Sequence, residues 1–535
     1  MKDWTVLVYM AGDNNLAVDM AYAMEQIKSA AGNSKNSPNL FVYYDGSSAD
    51  IPTLYCDFSD PDRPRYVRSY KVIDKPFPVP AKVNENAADP KSILNFVDWC
   101  LNKVPVENEG RLMFGRRSKR YALIFSGHSL GFQDIGLFRD ESSGKALRMS
   151  DLKSVIERLT ATADELAKSP RPAGTREASM FENRTELIGQ KLDLLGFDSC
   201  VMGMLEVGFQ FREVARVMIA SEGSVPSAGW TYTKILGELT GQEAGSSIPE
   251  IVAQRFVRDF IKSQDAYTVG GVSVDLAAWD LTRLRDLAIA LDELSATLLD
   301  CLSEPESKLY KSIARGLLQA HWQCQSYMYD QNVDLGDFCE LLDRECSFYA
   351  VDLRGADAVR IAQVSEKCKN VIGQLKRVVL LSGFSGGNYQ YSNGVSVFFP
   401  WSLEAYDASQ KNYESLWIVK DSLQRKSNWN AFLRKYLSET ARRKFVPPSV
   451  VSGPNGKFRY FAGIQFDDEI QLASVTQEGS KIAGQEGSKI AGQEGSKIAG
   501  QEGSKIAGQE GSKIAGQEGS KIAGQEGSKI AGQEG

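Results

Sequence analysis

Histidine is almost absent from this chain. Its 535 residues hold two, His128 and His321. Cysteine is sparse and scattered. The eight cysteines form no CxxC pair and no other metal-ligand spacing, which excludes zinc ribbons and iron–sulfur motifs. An excess of positive charge is missing too. The formal net charge of −6, with no basic stripe interleaved with aromatics, argues against a nucleic-acid binder. No run approaches the ~20 apolar residues a membrane-spanning helix needs, so no membrane partner is expected. The N-terminal apolar run, WTVLVYM, is too short for an export signal and has no small-residue cleavage site behind it. With cysteines that read as reduced thiols, this leads to the expectation of a cytoplasmic protein.

The residues present describe a globular chain. Trp4 begins an apolar run that ends at AGDNN, and a second run at 39–44 ends at Asp45-Gly46. Residues 53–58 and 66–72 alternate more, as a hairpin or sheet edge does. Asp89-Pro90 opens a helix with an N-cap and a proline in the first turn. Further apolar strands are predicted at 121–125, 192–197 and 214–220, separated by helical patterns. Strands alternating with helices predict a mostly parallel sheet covered on both faces, an α/β/α sandwich. In such sheets ligands bind beyond the C-terminal strand ends. AGDNN, SGHSLG, FDSC and SEGS all lie at such ends.

The sequence divides into residues 1–245 as a catalytic unit with an exposed loop at 165–190, and 246–445 as a smaller mixed α/β domain. A linker with short strands follows at 446–476. The tail, 477–535, is seven copies of QEGSKIAG and a partial eighth. One isoleucine per eight residues cannot offset the cost of ordering the rest, so the tail is expected to be disordered.

Two strand ends carry chemistry. One delivers His128 in YALIFSGHSLG, the other Cys200 in LDLLGFDSCVMGMLEV. A cysteine attacks a carbonyl as thiolate and needs a low pKa or an adjacent base. A helix over 201–211 would aim its N-terminal amides at the sulfur. His128 would act as base or acid, and the amides of Ser129 and Cys200 would face the oxyanion if the two strands are neighbours. No carboxylate is obviously placed to orient the imidazole, so dyad and triad both stay open. His321, in LLQAHWQC, reads as a packed or surface histidine.

These stretches also carry a resemblance. WTVLVYMAGDNNL, FSGHSLG, LGFDSCVMGMLEV, ASEGSVPSAGWTY, VDLGDF at 333–338 and NGVSVFFP at 393–400 resemble the clostripain family of cysteine peptidases. That family shares a clan with caspases, gingipains, legumain and separase. The resemblance implies a caspase-like sandwich, a His128/Cys200 dyad and endopeptidase action on proteins through a thioester, commonly after Arg or Lys. It implies Asp198, two residues before the cysteine, as a wall of the S1 pocket. Glu222 and Asp13, on neighbouring strand ends, are weaker S1 candidates. The family is often activated by cleavage between the His and Cys strands. Lys145, Lys168, Arg171, Arg176 and Arg184 are the candidate autocleavage residues here.

No organic cofactor is implied. Some relatives need calcium, but no EF-hand-like loop occurs, and any Ca²⁺ site would come from scattered carboxylates. The chain departs from the family at Ser129, where glycine is usual, and in the loop 221–230. The other function class left open is a catalytically weak scaffold. A regulatory partner protein fits either.

Overall fold

The computed structural model describes most of residues 2–465. Residues 32–36, 48–51, 69–83, 169–185, 240–247, 265–271, 421–426, 453–457, several stretches of one to three residues, and everything from 466 onward lie outside the described residues. The repeat tail, Arg171, Arg176 and Arg184 are among these.

The strands in chain order are β1 (Lys2–Ala11), β2 (Asn39–Asp45), β3 (Leu54–Asp57), β4 (Arg65–Arg68), β5 (Pro105–Asn108), β6 (Arg111–Phe114), β7 (Ser118–Ser126) and β8 (Leu192–Asp198). They continue with β9 (Ala215–Ala220), β10 (Val274–Asp280), β11 (Ser326–Tyr327), β12 (Asn332–Asp334), β13 (Val379–Ser385), β14 (Ser396–Phe398), β15 (Lys444–Ser452) and β16 (Phe458–Gln465). Nine form one sheet in the order β13-β10-β9-β8-β7-β1-β2-β3-β4. The five strands from β9 to β2 run parallel, and each edge is closed by two antiparallel strands.

Burial on both faces explains why the central strands read as unbroken apolar runs. Along β1, Leu7, Tyr9 and Ala11 point into one core, while Val6, Val8 and Met10 point into the other. The helices Ala17–Ala30 and Pro249–Lys262 cover the second face. The helices Pro90–Asp98, Met149–Thr160, Leu205–Phe211 and Leu284–Cys301 cover the first. Asp89 caps its helix by accepting from Lys91 N, and Pro90 fills the first turn, as the sequence predicts.

Two expectations need correction. The boundary at 245/246 does not separate two cores. Strands β10 and β13 complete the sheet, and the later helices share the core on its first face. The helix after Cys200 does not start at 201 but at Leu205, with Met204 as its N-cap. The intervening turn is pinned to the end of β9. Val201 N donates to the Gly223 carbonyl at 2.9 Å, and Gly203 N donates to that of Ser221 at 2.7 Å.

Candidate active site

Strands β7 and β8 are parallel neighbours in which Ser126 pairs with Asp198. His128 and Cys200 each follow that pair by two residues, so one register carries both to the same sheet end. Ser129 ties the two ends together. Its hydroxyl donates to the Cys200 carbonyl at 2.5 Å, which turns the extra side-chain atoms of this glycine-to-serine departure away from solvent.

Cys200 is half-buried, whereas the other seven cysteines are fully buried. Its sulfur accepts a hydrogen bond from Val225 N at 3.3 Å. Val201, directly after it, holds a left-handed backbone with φ 61°, a costly state for a β-branched residue. The backbone bonds at Val201 and Gly203 hold this strained turn in place. Burial raises the Cys200 thiol, and the Val225 N–H offsets this only in part. The expected helix-lowered thiolate is therefore absent. The helix begins too far along the chain, and desolvation outweighs the amides.

Burial also lowers His128, with Glu141 pulling weakly the other way. Its Nε2 lies 2.6 Å from Asn15 Oδ1, on the loop after β1. An amide oxygen only accepts, so this contact favours the tautomer with the proton on Nε2 and the lone pair on Nδ1. Both shifts favour the neutral form, a thiol at Cys200 and an uncharged imidazole at His128.

Asp198 lies beneath the site, 4 % exposed. Its carboxylate accepts from Trp230 N at 3.0 Å, the Tyr232 hydroxyl at 2.8 Å and Ser126 Oγ at 3.1 Å. Burial pushes it up to about 6 against the lowering effect of these donors. Gly229 lies directly over it, at φ +67°. A Cβ there would come within 2.7 Å of Asp198 Oδ2, so no other residue type fits without a shift.

The two weaker S1 candidates turn inward. Glu222 is fully buried, accepts from Gly394 N at 2.8 Å and faces Asp334. Asp275 fixes its backbone by accepting from Glu222 N at 2.6 Å and Gly223 N at 2.9 Å. Asp13, 2 % exposed, faces Asp45 and Asp140 instead of the site. A strand-end carboxylate can cap a loop or pair with another element as readily as line a pocket, and both do so here. This acidic trio is the group of oxygen ligands able to hold a hard cation such as calcium.

Lys145 is exposed at the end of a turn bridged to Asp140, and Lys168 is exposed at the end of the helix Ala163–Lys168. His321 is packed, stacked between Phe399 and Trp401, with its ring nitrogens on Tyr436 Oη and the Phe399 carbonyl. Sequence reasoning missed three contributors. Asn15 lies in the strand end AGDNN, but nothing in the sequence sets its amide apart from that of Asn14 as the partner of the imidazole. Val225 acts through its backbone and leaves no side-chain signal. Tyr389 accepts from Ser224 N at 3.2 Å and packs on Gly223, across a long sequence separation.

The clostripain family, peptidase C11, matches residues 178–436, a segment that includes Cys200. Clostripain from Hathewaya histolytica is 23 % identical over 443 residues, covering 74 % of each chain. A secreted C11 cysteine protease from Bacteroides thetaiotaomicron, solved with an irreversible peptide inhibitor, is 16 % identical with a TM-score of 0.47, covering 78 % of this chain and 99 % of that one. An inactive zymogen C11 protease from Parabacteroides distasonis is 18 % identical with a TM-score of 0.47, covering 79 % and 98 %. The description of the Bacteroides protein as secreted runs against the cytoplasmic expectation, which is withdrawn. With His128 and Cys200 at one sheet end and the clostripain family matching residues 178–436, which include the second of them, this chain is similar to the clostripain family and is a cysteine endopeptidase.

Proposed function

We propose that Cys200 is the nucleophile and His128 the acid–base group of a peptidase that cleaves proteins after Arg or Lys. The observation that carries this reading is the Ser126–Asp198 register, which delivers both side chains two residues further on. Because the thiol is raised and the imidazole lowered, no ion pair waits in the resting enzyme. His128 takes the thiol proton as Sγ attacks the scissile carbonyl. The amides of Ser129 and Cys200 donate to the oxyanion of the tetrahedral adduct. His128 then gives the proton to the departing amine, leaving a thioester on Cys200. Water, deprotonated by the same imidazole, hydrolyses the thioester.

Asp198 is the proposed acid for a basic P1 side chain. It lies at the end of the nucleophile strand, and a guanidinium would form a charge-assisted contact there. Glu222 and Asp13 are withdrawn from that role.

The same specificity would let the enzyme cut itself between the His and Cys strands. Lys145 is the preferred site because it is exposed in a turn close to His128 in sequence, with Lys168 second. The test is a denaturing gel of the purified protein. Two fragments joining at Lys145–Ala146 are expected, with Cys200→Ala remaining one band. Equal cutting of both proteins would remove self-processing from the account.

A further inference from the structure

Asp13, Asp45 and Asp140 come from three separate segments: the loop after β1, the end of β2 and the turn that follows His128. All three are buried, at 2 %, 0 % and 0 % exposure. Each offers one carboxylate oxygen, and the three oxygens lie within 4.8 Å of one another. Among the described residues no ion pair reaches any of them.

Proximity of acids alone would mean little, but Asp45 adds an independent observation. Its Oδ1 accepts from Thr53 Oγ1 at 2.7 Å and Asn84 Nδ2 at 3.3 Å. Its Oδ2 is buried and, among the described residues, has no hydrogen-bond partner. A buried carboxylate oxygen left bare beside two further acids is costly, and a cation would remove that cost. Asp140 is oriented by Ala87 N on Oδ2 at 2.9 Å and Ser143 N on Oδ1 at 2.7 Å, and Asp13 by Ser142 N on Oδ2 at 3.3 Å. Oxygens at this spacing suit a hard divalent cation, whose other ligands would be water.

We infer that Asp13, Asp45 and Asp140 form a binding site for a hard divalent cation that clamps the loop after β1 to the turn after His128. The two segments are already stitched by Glu141 N to the Asp13 carbonyl at 2.8 Å and by Asn14 Nδ2 to the Arg139 carbonyl at 3.1 Å. Two residues beyond Asp13, Asn15 meets His128. A cation held between these segments therefore also fixes the partner of the imidazole. Binding itself does not depend on the assignment of His128 as the catalytic base; only this last consequence does.

The test uses the full-length chain as Cys200→Ala, so that self-cleavage cannot interfere. Chelator-treated protein is titrated calorimetrically with CaCl₂ and separately with MgCl₂, and its melting temperature is followed. Saturable binding of one ion with a rise of a few degrees is expected for at least one cation. Limited trypsin digestion at exposed Arg139 and Lys145 should slow when the ion is present. Adding Asp45→Asn should abolish binding and protection. The doubly substituted protein should stay folded without metal, because asparagine matches the size of Asp45 and keeps an acceptor for Thr53 and Asn84. No binding of either cation overturns the site, whatever the double variant does. Undiminished binding by a folded Asp45→Asn variant also overturns it. Equal trypsin rates with and without a bound cation overturn the clamp.

Discussion

His128 Nε2 and Asn15 Oδ1 stand 2.6 Å apart, joining the loop after β1 to the end of β7. Asn15 is exposed, and its amide oxygen meets the imidazole. The contact fixes the ring and its tautomer, a role filled in other hydrolases by a carboxylate. Asn15→Ala should lower kcat by about 100-fold, the usual effect of an ångström-scale misplacement of a catalytic group. KM should change little, because Asn15 touches the base and not the substrate. Steady-state kinetics check this. A purely structural role would instead lower the melting temperature and leave the kcat of the folded fraction intact.

Buried carboxylates give the protein an unusual pH dependence. Burial pushes Asp45 up to about 8, Glu206 and Asp275 to about 7, and Asp198 to about 6. Each binds its proton more tightly folded than unfolded. Their stabilising effect is therefore full below about pH 4 and is lost as pH rises through 6 to 8. His321 works the other way. Burial lowers it to about 3, so its contribution is lost as pH falls below the ordinary histidine range. Between pH 6.5 and 8.5 the carboxylates outweigh it. Cys200→Ala in chelator should melt several degrees higher at pH 6.5 than at 8.5, from a difference on the order of 2–4 kcal/mol. A lower melting temperature at pH 6.5 would contradict these assignments.

The acid beneath the nucleophile strand sets the proposed specificity. Asp198→Asn keeps hydrogen-bonding partners for Ser126, Trp230 and Tyr232 while removing the charge. It should reduce kcat/KM for Arg and Lys substrates by about 10-fold to 100-fold, the worth of one charge-assisted contact. Hydrolysis after a neutral P1 residue should change far less. Equal losses on both substrate types would place Asp198 in the structural frame of the site alone.

Much of the fold is legible in the sequence because burial on two faces demands continuous apolar runs. β1, β2, β7, β8 and β9 announce themselves in this way, and β3 and β4 alternate because they lie at an edge. The strand-end placement of His128 and Cys200 follows from the same reading. What was not legible depends on backbone contacts and distant partners. The turn at 199–203 replaces the first helical turn because Val201 and Gly203 donate to the β9 loop, and no side chain records those bonds. Asp13 and Glu222 lie at the correct strand ends but turn inward, towards Asp45 and Asp140 in one case and Asp334 in the other. β10 and β13 return antiparallel to the sheet from beyond residue 246, so the division into two domains does not survive.

The central claim is that Cys200 cleaves peptides after basic residues with His128 as its base. Turnover of fluorogenic peptides differing only at P1, by the wild type, Cys200→Ala and His128→Ala, measures it directly. The account predicts release after Arg and Lys by the wild type, far slower release after Asp or Ala, and activity at background for both variants. Turnover by Cys200→Ala equal to the wild type, or no turnover of any peptide by correctly folded wild type, would contradict it.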